Sequence, residues 1–136
     1  MAGSFSRNKG KRAEQEVRLV LQGIVNQVWS SLGRDPADKA RPTVKRNTLQ
    51  SDGGGCDIVG LEMIALEVKY QEKLCIPAWW RQTVAQCGQN QIPVLFYRQN
   101  RKPWTILLDE GEGRVQMDLA GFDAWARQKL LEEWQG

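Results

Sequence analysis

The chain contains no histidine and only three cysteines in 136 residues. Without imidazole there is no serine triad and no histidine-metal chemistry, so catalysis must run on carboxylates, lysine or a metal held by oxygen ligands. Cys56, Cys75 and Cys87 are odd in number and lack CxxC spacing. That argues against zinc and reads as reduced, half-buried thiols of a cytoplasmic protein. No run approaches the roughly 18 apolar residues of a membrane span. The opening, MAGSFSRNKGKR, is polar and basic rather than a signal peptide, and predicts a mobile arm over about residues 1–10. There is no internal repeat and no low-complexity linker. Length, 41% apolar and 26% charged residues predict a single domain over 1–136 with one modest core.

What is present is unevenly distributed. Residues 1–50 carry ten Lys/Arg against four Asp/Glu, whereas 109–136 carry three against seven. A basic amino-terminal part predicts a polyanion partner, nucleic acid above all. Apolar residues recur helically from Gly10 to about Ser31, at Ala13, Val17, Val20, Leu21, Ile24 and Val28. LGRDPADKARP is a loop, TVKRNTL (43–49) a strand, SDGGG a turn, and CDIVGL and MIALEVKY two adjacent strands. PAWWRQTVAQC begins a helix at Pro77. IPVLFYR and PWTILLD are two further strands, RVQMD a short edge strand, and Asp118 caps a last helix. The fold class is therefore α/β, a sheet with flanking helices.

The stretch SDGGGCD, followed by EVK at 67–69, carries the chemistry. Side chains alternate along a strand, so Glu67 and Lys69 share a face and Val68 points away. If the two strands pair, Asp57, Glu67 and Lys69 converge at one sheet edge. Two carboxylates with waters suit Mg²⁺, and a lysine beside them suits a developing phosphorane charge. Gly53, Gly54 and Gly55 either let the backbone approach a phosphate or simply make a hairpin turn. On the first helix Glu14 falls roughly 40° from the centre of the apolar face and Glu16 roughly 120° away. Glu14 is thus a candidate fourth acid, unless the helix end frays and lets it reach water; Glu16 reads as solvent-facing.

Asp57, with Glu67-Val68-Lys69 ten positions on, resembles the PD-(D/E)XK nuclease superfamily, whose signature is an aspartate followed by E-x-K on the next strand. The element order resembles its αβββαβ, restriction-endonuclease-like core, a central mixed sheet flanked by helices. GKRAE, ending in Glu14, resembles the helix-borne acid of the Holliday junction resolvase branch. Cys56 departs from the family, which often has proline there. The resemblance implies a Mg²⁺-dependent endonuclease, with Mn²⁺ as the substitute ion, acting on branched DNA as a homodimer in a bacterial cell or phage-infected host. Asp57 and Glu67 would be metal ligands, with the Val68 carbonyl as an extra ligand. Lys69 would be the catalytic lysine and Glu14 an accessory ligand of metal or water.

Arg7, Lys9, Lys11, Arg12, Arg41, Lys45 and Arg46 are candidates for phosphate contacts, with Arg98, Arg101 and Lys102 as a second basic turn. Gln82 and Gln86 lie one turn apart, near substrate or on a plain polar face. Trp79 and Trp80 cannot both face inward, so one serves a rim, stacking on bases or filling a dimer contact. Trp104, Trp125 and Trp134 read as packing residues. Three rivals remain: a restriction-, repair- or flap-type nuclease of the same fold, a non-catalytic DNA-binding module whose acids make only ion pairs, and an interaction protein using the Trp-rich surface.

Overall fold

The computed structural model describes residues 2–48 and 56–135. In them the order is α1 (Ala2–Ser31), β1 (Lys45–Arg46), β2 (Ile58–Val59), β3 (Ile64–Tyr70), α2 (Ile76–Ala85), β4 (Ile92–Arg98), β5 (Thr105–Asp109), β6 (Arg114–Met117) and α3 (Leu119–Gln135). The strands form one sheet in sequence order, antiparallel throughout except between β3 and β4. That parallel step needs a long crossover, and α2 fills it. The mixed sheet with flanking helices is the expected α/β, restriction-endonuclease-like arrangement.

α1 begins earlier than periodicity indicates. The chain is helical from Ala2, so the stretch read as a mobile arm over 1–10 is, from Ala2 onward, the first turns of this helix. Ala2–Lys9 contains neither proline nor a β-branched residue. The Lys9 ammonium also sits 4.4 Å from the centre of the Tyr70 ring, which ties this end to β3. The apolar stripe is the one read from the sequence: Ala13, Val17, Leu21, Ile24 and Val28 are buried, joined by Val25.

The two sheet faces carry separate cores. Leu66 and Val68 on β3, Val94 and Phe96 on β4, and Ile106 and Leu108 on β5 pack with α1 and α3. Phe96 meets Phe122 of α3 edge-on at 4.8 Å between centroids, worth about 0.5–1.5 kcal/mol beyond the burial itself. The opposite face holds Leu95 and Leu107 under Trp79 of α2. Trp79 is buried, while its neighbour Trp80 is half-buried with Arg114 at 5.6 Å, so the two tryptophans do divide between core and rim. Asp118 caps α3, its Oδ1 accepting the Gly121 N–H at 2.8 Å.

β1 and β2 are much shorter than the apolar runs that suggest them, because β2 is shared between two partners over very few residues. It pairs with β1 at Ile58 and Val59, and with β3 only at Ile58 opposite Leu66. Gly60 then turns the chain at φ 116°, its Cα pressed against β1's approach. A Cβ there would lie 2.2 Å from the Thr43 carbonyl oxygen. Gly60→Ala is therefore expected to cost about 3 kcal/mol, seen as a fall in Tm of roughly 10 °C. An unchanged Tm would mean that the β1–β2 approach is looser than described.

Candidate active site

Where β2 leaves β3, the backbone hands Asp57 to the start of a cleft. The Asp57 N–H donates to the Leu66 carbonyl at 3.0 Å, and the Asp57 carbonyl accepts the Asn47 N–H at 2.8 Å. One step beyond the Ile58–Leu66 pair, Asp57 thus comes opposite Glu67. Its Oδ2 accepts the Val68 N–H at 2.8 Å, which fixes the carboxylate against β3.

Glu67 lies between two core residues, Leu66 and Val68, and points to the other face, in register with Leu95. It is only 1% exposed. Among the described residues neither of its carboxylate oxygens has a hydrogen-bond donor. Burial pushes its pKa up to about 9, with the Asp57 charge adding to the rise and Lys69 opposing it. Once protonated, Glu67 becomes the donor of a hydrogen bond to Asp57, which raises it further. A buried carboxylate with no donor is costly unless a proton or a cation neutralises it.

Glu14 reaches the same place from α1. Its Oε1 accepts from Arg46 Nη2 at 3.0 Å and Nε at 3.1 Å. Burial raises its pKa, Asp57 raises it further, and Arg46 and Lys69 counter both. Glu16, two residues on, is exposed and pairs with Arg98 instead. A cleft of about 590 Å³ is walled by Lys9, Gly10, Glu14, Asp57, Val68 and Lys69, and continues along Tyr70 to Lys73. Glu67 lies beneath this wall. The structure therefore brings Glu14, Asp57, Val68 and Lys69 around one opening, with Glu67 below.

The other expected residues divide. Lys9 is in the cleft, and Arg12 lines the adjoining hollow. Lys11 is exposed on α1 and Lys45 on β1. Arg46 is engaged with Glu14 rather than facing outward alone. Arg41 precedes Pro42, whose carbonyl accepts from Gln22, two helical turns from Glu14, and is not in the cleft wall. Gln82 is exposed on α2 and Gln86, the C-cap of that helix, is half-buried, neither in the cleft wall; the Gln86 Oε1 is buried without a donor among the described residues. Gly53, Gly54, Gly55 and the Arg7 side chain lie outside the described residues. All three cysteines are free and half-buried.

Two neighbours escape a reading of motifs. Asn47 donates from Nδ2 to the Cys56 carbonyl at 2.9 Å, bracing the residue before Asp57. Tyr70 follows Lys69 and, by strand alternation, turns to the α1 face, where it meets Lys9. The only available signals were a polar residue inside a strand-like run and the alternation itself.

Residues 5–129 match the family described as "Phage putative PDDEXK endonuclease". The chain belongs to this family. The resemblance to the PD-(D/E)XK superfamily read from Asp57 and Glu67-Val68-Lys69 is thereby correct, and the protein is a nuclease. No curated protein and no solved structure matches the chain.

The nuclease's own donor set can be weighed against the divalent metals on which this superfamily generally relies. Among the described residues, no three Asp, Glu or Cys side chains cluster tightly enough to hold a metal ion by themselves. What is present is a pair of carboxylates, Asp57 and Glu67, with the Val68 backbone between cleft and core. The uncompensated Glu67 oxygens fit a cation that takes few protein ligands and keeps its waters. Among the described residues, no helix is long and apolar enough to cross a membrane.

Proposed function

We propose that this nuclease hydrolyses phosphodiester bonds in branched DNA, four-way junctions above all, as a Mg²⁺-dependent homodimer. The observation that carries the catalytic part is Glu67, 1% exposed and without a donor, beside Asp57 and under a cleft lined by Lys69. Asp57, Glu67 and the Val68 carbonyl would hold the ion, with Glu14 as accessory ligand and Mn²⁺ as an acceptable substitute. When bound, such an ion supplies Lewis-acid neutralisation at the phosphate and acidifies water.

The chain's own residues do the rest. Asp57 is locked to β3 through the Val68 N–H, so its carboxylate needs no reorganisation when substrate arrives. Lys69 shares the Glu67 face of a rigid strand and opens onto the cleft, where its ammonium can orient a water and offset phosphorane charge. Arg46 holds Glu14 in place from β1. Arg7, Lys11, Arg12, Lys45 and Gly53 to Gly55 would contact backbone phosphates, giving affinity that falls steeply with salt. Arg41, Gln82 and Gln86 would belong to the wider DNA footprint. A chain with one such site cuts two strands of a junction symmetrically only as a pair of copies.

The test is cleavage of a four-way junction, fork, flap, linear duplex and single strand, each with Mg²⁺ or EDTA. Paired, symmetric nicks in the junction, absent with EDTA, are expected. Equal cutting of linear duplex would keep the active site and remove the junction preference, pointing to a restriction- or repair-type enzyme. Binding with no cutting of any substrate would mean that the acids are structural.

A further inference from the structure

A second hollow of about 480 Å³ adjoins the cleft and shares Lys9 and Tyr70 with it; Arg12, Ala13, Glu16, Arg98 and Asn100 complete its wall. Two of its cations, Lys9 and Arg98, stand over aromatic rings. The Lys9 ammonium lies 4.4 Å and the Arg98 guanidinium 4.5 Å from the centre of the Tyr70 ring, and Arg98 is also 4.9 Å from that of Trp104. Their side chains are 18% and 23% exposed, whereas Glu16, which accepts from Arg98 Nη2 at 3.1 Å, is 44% exposed. Among the described residues Lys9 pairs with Glu72 at 4.0 Å, a carboxylate already committed to the Asn100 N–H at 2.6 Å. These two cations are thus braced on aromatic rings, while the acid on Arg98 reaches in from solvent. Exposed ion pairs are weak, and a phosphate offers the guanidinium fork a better-matched anion than a half-solvated carboxylate.

We propose that Lys9 and Arg98, braced on Tyr70, bind a backbone phosphate flanking the scissile one, and that Glu16 is a carboxylate stand-in which this phosphate displaces. The subsite rests on the reading of the cleft as a DNA-cleavage centre and extends it by giving the strand a path. DNA would run from Lys69 past Lys9 towards Asn100. Tyr70 then acts as a positioning residue for two cations, not as a base-stacking platform, because its ring is taken up by Lys9 and Arg98.

Affinity for a fluorescein-labelled four-way junction, and separately for a linear duplex, measured by anisotropy in EDTA, tests this without cleavage. Glu16→Gln is expected to tighten binding about threefold, a gain that misfolding cannot mimic. Glu133→Gln, which removes the same charge on α3, should leave it unchanged. Lys9→Gln and Arg98→Gln should each weaken binding about threefold to tenfold and lower the slope of log K against log salt by about one. In the Arg98→Gln background, Glu16→Gln should gain nothing. The proposal is overturned if Glu16→Gln has no effect, if Glu133→Gln matches it, or if its gain survives without Arg98. It is equally overturned if the wild type binds neither probe. Wild-type cleavage with Mg²⁺ is scored separately: loss of that activity sinks the nuclease reading of the cleft, whereas these affinity ratios decide the subsite.

Discussion

Replacing Lys69 by alanine is expected to lower the rate of DNA cleavage by on the order of 10²–10³-fold or more, with the fold intact. Removing one preorganised group that stabilises transition-state charge commonly costs that much. Lys69 has the position for it: it sits on β3, on the Glu67 face, and opens onto the cleft that Asp57 and Glu14 also line. Its side chain is only half-buried, so truncation should leave Tm within a few degrees. DNA affinity should change little, because the proposed phosphate contacts are spread over many other cations. Single-turnover cleavage with excess enzyme isolates the chemical step. A variant that keeps a tenth of the wild-type rate would remove Lys69 from catalysis.

The second large effect belongs to Glu67 and has an unusual sign. Its ordinary pKa of 4.5 applies in the unfolded chain, whereas burial and Asp57 lift it to about 9 in the fold. Between those values the folded protein holds a proton that the unfolded chain has released. Stability of the metal-free protein therefore falls as pH rises, by up to about 1.4 kcal/mol per pH unit. The contribution is complete below about pH 4.5 and lost as pH rises through about 9. In EDTA, Tm should drop by several degrees between pH 6 and pH 8.5. Glu67→Gln should flatten that drop and raise Tm at the upper end, since a neutral amide does not carry the ionisation penalty. The same substitution should abolish cleavage. A variant more stable at alkaline pH yet inactive would fit a buried carboxylate kept for chemistry rather than for packing. Parallel melting curves for the two proteins would contradict the burial cost assigned to Glu67.

Much of this site is written locally in the chain. β4 coincides with the run IPVLFYR, because its core-facing and α2-facing positions are both apolar and leave no other period to fit. The contrast between Glu14 and Glu16 follows from helical geometry alone, and the fold places one at the cleft and the other outside it. Asp57 and Glu67 meet because the strands carrying them pair, which alternation and the intervening turn foreshadow. What was not legible depends on contacts distant in sequence. Arg46 pairs with Glu14 across 32 positions, so its role beside the acid could not be read from TVKRNTL. Lys9 looked like part of a free arm because nothing near it announces Tyr70, and it is that ring which brings the start of α1 to β3. β1 and β2 were overestimated for a related reason: their apolar content reflects packing on α1, while their pairing is cut short by the turn at Gly60.

A cation site at Asp57 and Glu67, for which a proton competes, is tested by calorimetric titration of the wild-type protein with Mg²⁺ at pH 7.5. The titration is run in two buffers of different ionisation heat and repeated with Glu67→Gln. Because the Glu67 carboxyl is held protonated up to about pH 9 in the metal-free fold, binding should release close to one proton per ion, as ligand deprotonation requires. That release should vanish in the variant together with most of the affinity. Binding that releases no proton, or that persists unchanged in Glu67→Gln, would place the metal away from Glu67.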